Sequence, residues 1–302
     1  MQYIWNGNDG SYTDAAQWTP AGVPLWDNGA TALIQSGTVT LNNVEPNAVS
    51  INLVGLSAET QPNLVLNNAA LGPSVRISLV PPSEPYQPTV KGFATITVEG
   101  YDTNQGSIGV GGFQVSPDVL TIAIAPYGQL NQKGTVGVGL SCELRVNGMG
   151  GGPATLNNDG AINVAGGSAT ISADVVGSGT IALIDNRSVF GSVEFLGGVS
   201  STQHISFRSV SGDLRIDDPS AFHGIIDGFT GPVDHVTLAN TQATGAYFAQ
   251  VTPDVGALLL LDGQQMVGAL TVTGQHASNA YGVSSNLDGS TTVTPVFASS
   301  GG

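Results

Sequence analysis

The sequence predicts an all-β protein, a parallel β-helix (β-solenoid) built of stacked strand-turn coils. Three observations carry the prediction. Short apolar-polar alternations recur along most of the chain. Nearly every one is bounded by Gly, Asn or Asp, residues that turn at little conformational cost. Apolar positions also return at intervals near twenty residues, the length of a solenoid rung. A β-sandwich of short hairpins is the alternative. Against it, Asn-Gly turns are few, at Asn6-Gly7 and Asn147-Gly148, with some Asp-Gly pairs besides.

In chain order, "GTVTL" (37–41) points Val39 and Leu41 one way, and "ATITVEG" does the same with Ile96 and Val98. Leu120, Ile122 and Ile124 alternate next, then Leu144 with Val146, Ile162 with Val164 and Ile181 with Leu183. Ile205 with Phe207 and Leu214 with Ile216 close the series. From Ile96 the steps to Ile122, Leu144, Ile162, Ile181 and Ile205 are 26, 22, 18, 19 and 24 residues. We expect Ile122, Leu144, Ile162, Ile181 and Ile205 to share one interior column. Stacked at ~4.8 Å, ~10–12 rungs would form a rod of roughly 50–60 Å. "VPPSEPYQPTV" (80–90) carries four prolines and reads as an excursion off the scaffold. "GMGGGPATLNNDG" (148–160) reads as a turn region, and "VGALLLLDG" (255–263) as a buried strand. The expected organisation is an N-terminal cap over 1–36, solenoid rungs over 37–240, and a C-terminal β segment over 241–302 that serves assembly or secretion.

Composition narrows the function classes. Of 302 residues, 42 are Gly and only 10% are charged, against a usual share of ~25%. Seven Lys and Arg oppose 22 Asp and Glu, for a net charge of −15. So few cations argue against a nucleic-acid partner, and no apolar run reaches the ~20 residues of a membrane span. Cys142 stands alone and reads as a small buried apolar residue. The start "MQYIWNGNDG" has no basic stretch leading into an apolar one, so a leader of that type is not expected there.

Three parts of the chain resemble a known group. "YIWNGNDGSYTDAAQWTPAGVPLWDNGATALIQSGTVTL" is similar to the opening of autotransporter-like passenger proteins, matched at Trp5, Trp18, Pro20, Pro24, Gly37 and Thr38. "GSGTIALID", "VEFLGG", "LRIDDPSAFHGIIDGF" and "VDHVTL" resemble the repetitive surface proteins of some alphaproteobacteria, and "YGVSSNLDGSTTVTPVF" resembles their C-terminal edge. The resemblance implies a right-handed parallel β-helix at the cell surface or outside the cell. It brings no catalytic residue with it.

Candidate chemistry is sparse. Asp217 and Asp218 in "DLRIDDPSAF" offer two carboxylates of the kind that cleave glycosides, but Asp-Asp-Pro also makes a plain turn. Trp5, Trp18 and Trp26 could stack on sugars, or could seal the open first rung. His204, His223, His235 and His276 show no metal-binding spacing. No cofactor is expected. Calcium finds Asn6, Asn8 and Asp9 in one run, but neither tandem nonapeptides nor an EF-hand glutamate supports it. The expectation is a non-enzymatic, secreted or cell-surface structural protein that self-associates into a fibre, surface layer or biofilm matrix. The alternatives are a carbohydrate-binding or carbohydrate-cleaving β-helix, with an extracellular polysaccharide as partner and Asp217, Asp218, Trp5, Trp18 and Trp26 as its site, and a phage-type fibre segment.

Overall fold

The computed structural model describes residues 1–24, 29–46, 49–55, 60–80, 91–111, 117–186, 189–209 and 211–296. Among them the regular structure is nearly all strand, with a 3-10 turn at Ala15–Gln17. The strands form three sheets of 14, 12 and 5 members. Within each sheet, sequence-distant strands pair in parallel, as in Thr180–Ile184 beside His204–Phe207. This is a β-solenoid of about eight turns. The parallel ladders rule out the sandwich, whose strands run antiparallel.

Alternation explains the packing. Each strand directs every second side chain inward, and register stacks those side chains into columns. One column of the first sheet runs Ile51, Ile77, Ile108, Val136, Ile162, Ile181, Ile205 and Ile226. All eight are at most 1% exposed. A column of the second sheet runs Leu64, Ile96, Ile122, Val146, Ile171, Phe195, Ile216 and Leu238. The five residues expected in one column are all buried, but they divide between sheets. Ile122 and Leu144 belong to the second sheet, and Ile162, Ile181 and Ile205 to the first. The 18-residue step from Leu144 to Ile162 crosses a corner instead of completing a coil. Fewer turns form than the expected ten to twelve because some coils are long: Ile77 lies beside Ile108, whereas Ile162 lies beside Ile181.

The glycine content has a local cause at the corner leading into the first sheet. A Cβ on Gly134 would lie 1.9 Å from the Gly106 carbonyl oxygen, one on Gly160 2.2 Å from that of Gly134, and one on Gly179 2.4 Å from that of Gly160. Successive coils touch backbone to backbone there, so only Gly fits. Just before this corner, inside the third sheet, Asn104, Gln132 and Asn158 form a buried polar column, and Asn104 Nδ2 donates to Gln132 Oε1 at 2.7 Å. The 148–160 stretch read as a turn region contributes to it, because Thr155–Asn158 is a strand.

The domain boundaries shift at the start. Gln2–Trp5 already pairs in parallel with Ala30–Ile34, and Gly10–Ser11 with Thr38–Asn42, so coiling begins at residue 2, inside the expected 1–36 cap. Capping is done by the intervening stretch, where Trp18–Thr19 closes the first sheet antiparallel to Gln2–Trp5. At the other end Val233–Leu238 is the last coil strand of the second sheet, and beyond it the chain changes character. Gly245–Gln250, Val255–Asp262 and Gln265–Thr273 make an antiparallel meander that joins the first sheet through Ile225–Asp227. Tyr281–Ser285 and Thr291–Pro295 form a hairpin that closes the second sheet. Val255–Asp262, expected as a buried strand, buries one face and turns the other outward. The proline-rich excursion, after Val80, lies outside the described residues.

Candidate functional site

The residues singled out from the sequence do not form one site: Trp5 and Trp18 meet in the first coil, and Asp217 and Asp218 follow a strand many coils away. Trp5 and Trp18 are 3% and 2% exposed and pack edge to face at 4.9 Å; Trp18 also meets Tyr12 at 4.8 Å. Trp5 Nε1 donates to the Asn8 carbonyl and Trp18 Nε1 to that of Tyr12. Neither ring has a face to offer a sugar; they plug the first coil. Trp26 lies outside the described residues. Asp218 Oδ1 accepts from Ser220 Oγ at 2.5 Å, from the Ser220 amide and from the Ala221 amide, which is a turn. The Ser220 hydroxyl, with the two amides, holds its carboxyl below the usual range. Asp217, one residue past the strand, accepts from Arg215 Nε at 2.8 Å. Asp217 and Asp218 thus answer to different partners and form no acid-base pair.

The histidines fall into distinct settings. His204 Nδ1 meets Asp227 Oδ2 at 2.7 Å across neighbouring coils of the first sheet, and His235 Nδ1 meets Asp213 Oδ1 at 3.0 Å across neighbouring coils of the second. His276 packs against Phe248 and Tyr281 in the C-terminal cap. No cluster of three metal-ligating side chains occurs among the described residues. Cys142 is buried as expected; burial and the nearby Asp118 push its thiol up to about 11, away from nucleophilic use.

Two surfaces stand out. The first is a groove of about 340 Å³ on the outer face of the second sheet. Its walls are two rows along the solenoid axis, Ser168, Ser192 and Asp213 in one and Thr170, Glu194, Arg215 and Thr237 in the other, with His235 next to Asp213 in the register of the first row. Between the rows Ala169, Val193, Leu214 and Val236 point inward, so the floor is backbone. Arg215 gathers three carboxylates: Glu194 at 3.2 Å, Asp217 at 2.8 Å and Asp288 at 3.9 Å. Ser192, Asp213 and His235 occupy successive rungs in that order. Ser192 stands two rungs, roughly 10 Å, from His235 at ~4.8 Å per rung. That is far beyond the ~3 Å needed for His to activate a hydroxyl, so the row is not a nucleophilic triad.

The second surface is the outer face of the C-terminal meander. Tyr247 lies beside Leu259, which lies beside Ala269; Gly245 lies beside Leu261, which lies beside Met266. Tyr247 is 48% and Met266 60% exposed. The outermost strand, Gly245–Gln250, pairs with one neighbour only, although the Phe248 amide is held by the Ser278 carbonyl. Sequence reading missed the groove; it placed assembly in the 241–302 segment that holds the second surface without singling out its residues, for which the apolar runs "GAYFAQ" and "GALLLLD" were the visible signal. No family model, no curated protein and no solved structure matches the chain.

Proposed function

We propose that this chain is a non-enzymatic structural protein of an extracellular or cell-surface setting, which self-associates through its C-terminal end. One observation carries the reading: the meander presents Tyr247, Leu259, Leu261, Met266 and Ala269 on an outer face without a charged side chain, beside an end strand that pairs with one neighbour only. Contiguous exposed apolar area of this kind marks contact surfaces. An edge strand free of charged gatekeepers pairs readily with another chain. On a protein of net charge −15, a neutral face is also where two copies meet with least repulsion. Within the C-terminal segment expected to serve assembly, Thr291–Pro295 is paired on both sides, so the meander is the part left to make the contact. The scarcity of lysine leaves few cationic gatekeepers against such pairing.

The test is electron microscopy with light scattering of the purified chain beside a Tyr247→Lys/Leu259→Lys variant. Both positions face outward, so the variant keeps its circular dichroism spectrum. The wild type should assemble as concentration rises and the variant should stay dispersed. A wild type that remains monomeric from micromolar to millimolar concentration would overturn the proposal.

A further inference from the structure

The groove on the second sheet has a feature that its neighbouring coil lacks. One rung below it, Glu143 and Arg145 occupy the two rows and join across the channel, with Arg145 Nη2 donating to Glu143 Oε2 at 3.0 Å. This ion pair closes the channel. In the next coils the pairing direction turns by a right angle. Asp213 pairs with His235 along one wall, and Glu194 with Arg215 along the other. Arg215 also pairs with Asp217 and Asp288, which lie outside the channel, on the far side of its own row and in the turn of the C-terminal hairpin. The channel between the walls therefore stays unbridged over roughly 14 Å, three rung steps of ~4.8 Å.

We infer that this channel binds a neutral polyhydroxylated chain, a glycan strand lying along the solenoid axis. Each wall offers the two halves of hydroxyl recognition. Glu194 and Asp213 accept from ligand hydroxyls; Arg215 donates to ligand oxygens; Ser192, Thr170 and Thr237 do either. Because Glu194 and Arg215 are held by one another, as Asp213 is by His235, these groups are fixed before a ligand arrives, which lowers the ordering cost of binding. The parallel register sets a polar pair on every rung, a spacing close to the length of a pyranose residue, so each successive sugar meets hydrogen-bonding groups. Other ligand classes fit less well. Carboxylates outnumber guanidinium groups and repel polyanions. The floor is backbone and the walls are polar, which gives an apolar ligand nothing to cover. Glu194 and Asp213 are already engaged by Arg215 and His235, and a polycation would have to displace those partners. The site lies on a different sheet from the self-association face, and it involves neither Trp5 nor Trp18.

The experiment is titration calorimetry on the dispersed Tyr247→Lys/Leu259→Lys variant, so that assembly does not enter the signal. The probes are a neutral β-linked hexasaccharide, oligogalacturonate and oligolysine. The neutral hexasaccharide should bind and the other two should not. Ser192→Tyr, which fills the channel from one wall, should abolish binding with an unchanged circular dichroism spectrum. Asp213→Asn, which keeps the shape and removes the charge, should weaken binding by about tenfold, the loss of one charge-assisted hydrogen bond. Binding of oligolysine in place of the neutral sugar would overturn the inference. So would hexasaccharide binding that Ser192→Tyr leaves intact, or no binding of the hexasaccharide at millimolar concentration.

Discussion

Replacing Ile181 with Ala, beside Thr180 with Ala, probes the stacked core at a single strand. Ile181 is fully buried between Ile162 and Ile205, while its neighbour Thr180 faces outward. The Ile181 change removes three buried carbons, about 2.4 kcal/mol at ~0.8 kcal/mol each. It also leaves a cavity that costs ~24 cal/mol per Å³ not refilled. Refilling is limited here, because hydrogen-bonded ladders hold the strand on both sides. The sum is about 4 kcal/mol, toward the upper end of the range for such changes. Thr180→Ala should cost under about 0.5 kcal/mol. The assay is urea unfolding followed by circular dichroism, comparing midpoints at equal slope. Equal losses for the two variants would refute the register, since a shift of one residue exchanges the two faces.

The glycine column gives a second contrast. Gly134→Ala should destabilise strongly, because its Cβ would meet the Gly106 carbonyl at 1.9 Å, whereas Gly137→Ala has open space around it and should gain about 0.5–1 kcal/mol, read as a rise in thermal midpoint. The pH dependence has a definite sign. Burial raises the carboxyls of Asp102 and Asp234 against the opposing pull of their backbone amides, so the native state binds protons more tightly than the unfolded chain. Stability should therefore rise as pH falls from neutral toward the ordinary carboxylate value of ~3.9. It should be lost below that, where Asp218 and Asp288, held low by Ser220 and Ser290, begin to protonate. Asp234→Asn should raise the neutral-pH melting temperature and flatten the rise. A melting temperature that falls steadily from pH 7 to 5 in the parent would contradict this.

The alternation at Ile162, Ile181 and Ile205 was legible because inward side chains of a parallel coil repeat every second residue. Which sheet each strand joins was not. Leu144 and Ile162 show the same local pattern on different sheets, and coil length varies at the corners, where the sequence carries only turn residues. The buried column of Asn104, Gln132 and Asn158 also escaped, since polar residues ordinarily face water. Its trace is the recurrence of Asn104-Gln-Gly106, Gln132-Lys-Gly134 and Asn158-Asp-Gly160. The groove was invisible for a different reason. Ser192, Asp213 and His235 are brought together by register alone, and nothing local marks them. Trp5 and Trp18 were conspicuous in the sequence, yet their large apolar rings are what a solenoid end needs to cover its first coil.

The central claim is that the chain associates through the outer face of its C-terminal meander. Hydrogen-deuterium exchange, followed peptide by peptide in dilute and concentrated protein, tests it most directly. The account predicts that concentration adds protection at Gly245–Gln250 and in the adjoining Val255–Asp262 and Gln265–Thr273 strands, with Gln2–Trp5 and Trp18–Thr19 unchanged. Protection gained at the N-terminal strands instead, or at no strand, would contradict it.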